Sequence, residues 1–190
     1  MTASTPKGER RRHALIEAAA GLLDEGGFDA VGHRAVAERA GLPLAATTYY
    51  FRSLDELVAA AVEHHARAEL GRGWARLAEL AVQPQDDESA VELVLDALIG
   101  PATAGAEQVV LRYERFVVAA RRPWLGPVMR ELRTELDALL MGALSQAGHP
   151  VEADELERLV AVVDGAVVNA LIEAAPDPRA AGRRMLLRSL

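Results

Sequence analysis

Apolar residues recur along this chain at intervals of three and four almost from end to end, and no alternating β-branched run is long enough to compete as a strand. The pattern predicts an all-α protein. A first amphipathic helix is expected over 7–25, with Leu15, Ile16, Ala19, Leu22 and Leu23 on one face and Gly26 and Gly27 ending it. Phe28 and Val31 flank a short turn that can pack back onto that face. Two helices of about two turns each follow, over 33–39 and 44–50, separated by Ala40, Gly41, Leu42 and Pro43. Gly41 suits the left-handed residue that ends one helix, and Pro43 suits the start of the next because its missing N–H is an orphan there anyway. Helices this short are unstable alone, so their neighbours must clamp them.

Ser53-Leu54-Asp55-Glu56 has the form of a capping box, with the Ser53 hydroxyl taking the Glu56 backbone N–H while the Glu56 carboxylate reaches back. A long helix therefore starts near Leu54 and reaches Leu70 or beyond, with Gly71 and Gly73 as its weak points. The polar, acidic stretch 83–88 reads as a mobile loop. Further helices are expected over 89–99, 106–122, 127–146 and 153–174, and a short terminal helix over 179–190. Gly100-Pro101, Pro123, Gly148-His149-Pro150, Pro176 and Pro178 punctuate them. The architecture expected is an N-terminal three-helix helix-turn-helix head over 1–53 and a larger C-terminal helical bundle over 54–190.

The stretch 159–172 is apolar on nearly every face, and such a helix must be buried all round. The helix before it offers a second broad stripe. A chain of 190 residues has little left to cover both. The two helices are therefore expected to pair with the same two of a second copy in a two-fold, four-helix interface, through Val128, Leu132, Leu136, Leu139, Leu140, Val160, Val163, Val167 and Leu171.

Composition narrows the functional classes. There is no cysteine, which excludes a disulfide scaffold, thiol nucleophiles and cysteine-based metal sites. Residues 1–12 are polar and basic with no apolar core behind them, so no secretory signal is expected. Asp164 and Asn169 interrupt the longest apolar stretch, leaving no membrane span, and a cytoplasmic protein is expected. The five histidines show no metal spacing, and neither a Gly-rich phosphate loop nor a nucleophile elbow appears, so no enzyme and no cofactor are expected. The net charge of −7 argues at first against nucleic acid. Split at Ser53, however, residues 1–53 hold seven Lys+Arg against six Asp+Glu and carry +1, and the remainder, with 14 against 22, carries −8. A mildly basic head on an acidic body is compatible with DNA binding in one docked orientation.

The segment from Arg34 to Phe51, helix, Gly-containing turn, helix, can place its second helix in a DNA major groove, although spacing alone fits an ordinary helical corner equally well. From about Arg11 to Leu57 the chain resembles the N-terminal domain of TetR-family transcriptional regulators. The resemblance rests on Ala18 to Gly26, Phe28, Val36-Ala37 with Ala40-Gly41, Tyr49-Tyr50-Phe51, and Ser53 with Asp55-Glu56-Leu57. It implies a homodimeric, ligand-responsive DNA-binding regulator, more often a repressor than an activator. Its partners would be a double-stranded, pseudo-palindromic operator and a small-molecule effector. A helical small-molecule-binding or adaptor protein without DNA binding is the alternative.

Carried onto this chain, the resemblance places Arg34 near a base edge, where a guanidinium can bind guanine O6 and N7 together. Leu44, Ala45, Ala46, Thr47 and Thr48 take the recognition-helix positions, with Thr47 where the family has a core Leu or Ile. Tyr49 and Tyr50 carry hydroxyls able to bond phosphate oxygens, and Arg11 and Arg12 belong to a basic arm. Gly32 stands where a Ser or Thr cap is usual, Pro43 where Ser is, Thr48 where Tyr is frequent and Leu54 where a basic residue is common. In the body, Trp74, Arg112, Tyr113, Phe116 and Asn169 are the candidate ligand-binding residues, combining apolar surface with a few polar groups to orient a ligand.

Overall fold

The computed structural model describes residues 6–82 and 87–190. Among these the chain forms nine α-helices and no strand. They are α1 (Pro6–Gly26), α2 (His33–Arg39), α3 (Leu44–Tyr50), α4 (Leu54–Leu80), α5 (Asp87–Leu98), α6 (Ala106–Ala120), α7 (Gly126–Gln146), α8 (Ala153–Ile172) and α9 (Pro178–Ser189). Short 3-10 turns at Phe28–Ala30 and Pro123–Leu125 follow α1 and precede α7.

Two compact units result. The first comprises the described residues up to Arg67 together with Glu114–Met129, and the second Ala68–Tyr113 with Arg130–Leu190. In the first, the apolar face of α1 (Leu15, Ile16, Ala19, Leu23) packs with Val31, Val36, Phe51 and the α4 residues Leu57, Val58 and Ala61, and Trp124 lies against this core. These buried side chains clamp the two-turn helices α2 and α3, which have too few backbone bonds to persist alone.

In the second unit, α8 and α9 form an antiparallel hairpin, and α9 also packs on α5. Gly182 of α9 makes this possible: a Cβ there would meet Ile99 Cδ1 at 2.5 Å and Val167 Cγ2 at 3.0 Å. The terminal helix thus covers part of the apolar surface of α8 from within the chain. An acidic row on α5, Glu88, Glu92 and Asp96, faces Arg183 and Arg179 on α9. Arg183 Nη2 lies 2.5 Å from Glu88 and its Nε 3.3 Å from Glu92, while Arg179 Nη2 lies 2.6 Å from Glu92 and 2.8 Å from Asp96. Arg179 also donates to the Gly100 carbonyl, satisfying backbone just beyond the end of α5.

Several local expectations change. Helix α4 runs unbroken through Gly71 and Gly73 to Leu80, so the glycines are not its weak points. The Ser53 hydroxyl accepts the Glu56 N–H at 3.1 Å, but the Glu56 carboxylate takes the Arg52 N–H, at 2.7 Å, rather than that of Ser53. Of the loop expected over 83–88, residues 83–86 lie outside the described residues, and Asp87 and Glu88 already belong to α5. No helix among the described residues is long and apolar enough to cross a membrane.

Candidate nucleic-acid interface and ligand-binding body

The turn between α2 and α3 is built by local chemistry. Gly41 adopts φ +64°, and its N–H bonds Glu38 O at 3.1 Å while that of Leu42 bonds Ala37 O at 2.9 Å. A side chain at this φ would be strained, so glycine fixes how α2 ends. Pro43 then caps α3 with an extended backbone. Thr47 is fully buried, its hydroxyl satisfied by Leu44 O at 2.8 Å. Burying Thr47 turns the opposite face of α3 outward: Leu44, Ala45, Thr48 and Tyr49 are exposed, Tyr49 at 81%. Ala46 and Tyr50 are half-buried against the core, and the Tyr50 ring meets Tyr49 edge to face at 4.9 Å.

Arg34, in the first turn of α2, is exposed and has no ion-pair partner among the described residues. Arg39, at the other end of α2, is differently placed: its guanidinium grips both Glu25 oxygens at 2.6 and 2.7 Å, fastening α2 to α1. These hydrogen bonds hold the Glu25 carboxyl below the usual carboxylate range. Gly32 caps α2 without a side-chain bond. Arg11 and Arg12 lie within α1, so they form a fixed helical surface rather than a free basic arm. The Arg12 guanidinium sits 5.0 Å above the Phe51 ring, a cation–π contact that holds it in place.

In the body, the five residues expected to bind a ligand have different surroundings. Trp74 on α4 and Phe116 on α6 are exposed at 42% and 45%, and Phe116 belongs to the first unit. Asn169 is exposed on the side of α8 toward α9, lining an open cleft of about 500 Å³ between the two helices with Glu173, Arg184 and Arg188. Arg112 and Tyr113 turn inward. Arg112 bonds Glu69 at 2.8 Å, Ala97 O at 2.7 Å and Leu98 O at 3.1 Å, closing the end of α5. The Tyr113 hydroxyl donates to Asp164 Oδ1 at 2.7 Å. Burial pushes the Asp164 carboxyl above its ordinary range, against the opposing effect of that hydrogen bond and of the Arg133 and Arg112 charges. Burial, reinforced by the Asp164 charge, likewise raises the phenol.

The proposed dimer stripe also needs correction. Leu132, Leu139, Leu140, Val160, Val163 and Val167 are buried within this chain, which leaves them no surface for a partner. Val128, Leu136 and Leu171 are half-buried. The stretch 159–172 looked apolar all round because one side meets the chain's own core, α9 included. Its outer side carries a separate stripe, Ala161, Gly165, Val168 and Ile172, the last 76% exposed.

A helix-turn-helix whose second helix presents an exposed face, followed by further helices, has the architecture of a DNA-binding head on a helical body. Comparison with known proteins agrees. Residues 15–61 match the model of bacterial regulatory proteins of the tetR family, and residues 85–190 match that of the tetracyclin repressor-like C-terminal domain. The chain belongs to the TetR family and is a ligand-responsive transcriptional regulator, not an enzyme. It is 26% identical over 175 residues to the nicotine-responsive transcriptional repressor HdnoR of Paenarthrobacter nicotinovorans, spanning 89% of this chain and 87% of that protein. Among solved structures it is similar to the multidrug binding protein EbrR complexed with imidazole (TM-score 0.68, 29% identity, 100% of this chain and 95% of that one). The EbrR complex with proflavin gives a TM-score of 0.65 at 31% identity, covering 95% of this chain and 99% of that one.

Proposed function

We propose that the protein is a dimeric cytoplasmic repressor, with residues 1–53 as its DNA-binding domain and 54–190 for ligand binding and dimerisation. The observation that carries the DNA reading is the outward face of α3, Leu44, Ala45, Thr48 and Tyr49, with the unpaired Arg34 on α2. Arg34 reads a base edge, Thr48 a base or phosphate, and Leu44 and Ala45 the shape of the groove and thymine methyls. Tyr49, Tyr50, Arg11 and Arg12 supply phosphate contacts. The outer stripe of α8 joins two copies, so that two heads meet successive major grooves of a pseudo-palindrome.

The effector is a lipophilic cation. Asp164 is a half-buried carboxylate whose described hydrogen bond is the one from Tyr113; the Arg133 and Arg112 charges act on it without pairing with it, and a cationic ligand supplies a direct counter-charge. HdnoR is named as nicotine-responsive and EbrR was crystallised with proflavin and imidazole, compounds that carry or readily acquire positive charge. Release from DNA requires that the ligand bind the non-operator conformation more tightly, since equal affinity shifts nothing. Helix α4, which continues from the first unit into the second, is the element whose displacement separates the heads.

The test has two parts. On a duplex of the DNA upstream of its own gene, affinity should fall by about a hundredfold or more between roughly 50 and 200 mM salt. Absence of binding and of any salt slope would instead favour an adaptor without DNA binding. Proflavin titrated onto the protein without DNA should bind about tenfold more weakly to Asp164→Asn than to the unaltered chain. Equal affinity would remove Asp164 from the effector site.

A further inference from the structure

Three helices of the first unit converge on one carboxylate. Asp24, in the last turns of α1, accepts from Arg115 Nη1 of α6 at 2.5 Å through Oδ1, and its Oδ2 lies 3.0 Å from His65 Nδ1 of α4. The ring closes on its third side, because Arg115 Nη1 lies 3.4 Å from His65 Nε2. The His65 and Arg115 side chains are only 22% and 20% exposed. Burial works to raise the Asp24 carboxyl, but the hydrogen bond from His65, the charge His65 carries once protonated, and the charge and hydrogen bond of Arg115 outweigh it and hold the group below the usual range. A carboxyl held low is already ionised across the range in which a histidine titrates.

We propose that Asp24, Arg115 and His65 form a proton-sensitive latch that positions the DNA-binding head, closed while His65 is neutral and opened when it takes a proton. With the proton on Nδ1, neutral His65 donates to Asp24 and offers Nε2 as an acceptor to Arg115, so all three groups are satisfied. A second proton on Nε2 removes that acceptor and sets an imidazolium 3.4 Å from a guanidinium. Asp24 attracts both cations but cannot relieve the repulsion between them.

The other charges around the junction do not take over this task. On α1, His13 lies 3.3 Å from Glu17 and meets the His64 ring of α4 edge to face at 5.2 Å, while Glu25 is held by Arg39 of α2. On α4, Glu63 pairs with Arg67 at 3.0 Å. From α6, Arg115 is the cation on Asp24, and just beyond that helix the Arg122 guanidinium stacks on Phe28 at 4.5 Å. The last turns of α1 carry Leu23 in the core under α2 and α3 and hold α2 through Glu25, so loosening them from α4 and α6 releases the helix that supports the recognition surface.

The test uses His65→Gln in the full-length chain. A glutamine amide donates to Asp24 and accepts from Arg115 as neutral histidine does, but it does not titrate. The proposal rests on the head binding DNA, so one readout needs DNA and another does not. On a duplex from upstream of its own gene at constant ionic strength, the wild type should lose about fivefold more affinity than His65→Gln between roughly pH 7.5 and 5.8, the low end of couplings between sites. The two should match at the higher pH. Without DNA, amide exchange in residues 18–26, corrected for intrinsic rate, should quicken on acidification in the wild type and not in His65→Gln. In Asp24→Asn it should be fast at both pH values. Parallel exchange profiles for wild type and His65→Gln overturn the latch whatever happens with DNA. A difference in exchange with no DNA binding keeps the latch and removes the operator reading.

Discussion

Arg34 in the first unit and Arg179 in the second are the same side chain put to opposite ends. Arg34 stands in the open with no ion-pair partner among the described residues, beside the outward face of α3. Arg179 is 9% exposed and bonds Glu92, Asp96 and the Gly100 carbonyl, tying α9 to α5 across 87 and 83 residues of sequence. A guanidinium is available to a phosphate or a base edge only where the fold has not already engaged it. This distinction carries more than net charge does: the body's −8 includes acids whose arginine partners lie inside the chain, and the head's +1 includes arginines left for an outside partner.

The largest expected effect lies on the internal side of this comparison. Arg179→Met removes one partner of a mostly buried network and leaves Glu92 and Asp96 facing each other. Burial already pushes the Asp96 carboxyl up, with the Arg179 charge opposing it, so losing Arg179 pushes it further. The loss in stability should be about 3 kcal/mol, the low end for breaking a buried pair because both carboxylates retain some solvent contact. Urea unfolding followed by helix content measures it. Arg183→Met, at the more exposed end of the row, should have a much smaller effect. Equal and small losses for both would mean that α9 is held by apolar packing around Gly182 alone.

The same difference decides how much of the molecule is legible in its sequence. The head was legible because its determinants are local: Gly41 and Pro43 mark the turn, Ser53 and Glu56 the start of α4, and Thr47 falls where a core residue belongs. Glu88, Glu92 and Asp96 on α5, and Arg179 and Arg183 on α9, stand four residues apart in the sequence, but nothing local says that they meet. The apolar stripes of α7 and α8 were equally visible, yet six of the nine residues assigned to a partner copy are covered by the chain itself. Periodicity identifies a face to be buried without saying what buries it. Asp164 was noted only as an interruption in an apolar helix, because Tyr113 lies 51 residues away.

On the external side the expected effects concern DNA. Arg34→Ala should lower discrimination between the preferred operator and one altered at the contacted base pair by about 1–3 kcal/mol, with little change in the salt slope. Arg11→Ala should weaken binding to both sequences alike and reduce the salt slope by about 1. Titrating each variant against matched and altered duplexes at several salt concentrations separates the two. If Arg34→Ala behaved as Arg11→Ala does, Arg34 would be a phosphate contact, and base reading would rest on α3 alone.

Asp164 tests the comparison most finely, because it is a body carboxylate whose described hydrogen bond comes from a tyrosine rather than an arginine. Its folded-state pKa is raised, chiefly by burial, above the value of the unfolded chain. Below the unfolded value of about 3.9 both states are protonated and the shift has no effect on stability. As the pH rises past that value the unfolded chain loses its proton first, so folding becomes less favourable until the folded carboxyl has ionised as well. Asp164→Asn keeps an acceptor for the Tyr113 hydroxyl and abolishes this penalty. It should therefore raise Tm by about 2 °C at neutral pH, a gain that disappears on acidification below the unfolded pKa. Equal melting of the two proteins at neutral pH would mean that the Arg133 and Arg112 charges already balance the buried carboxylate, as Arg179 balances Glu92 and Asp96.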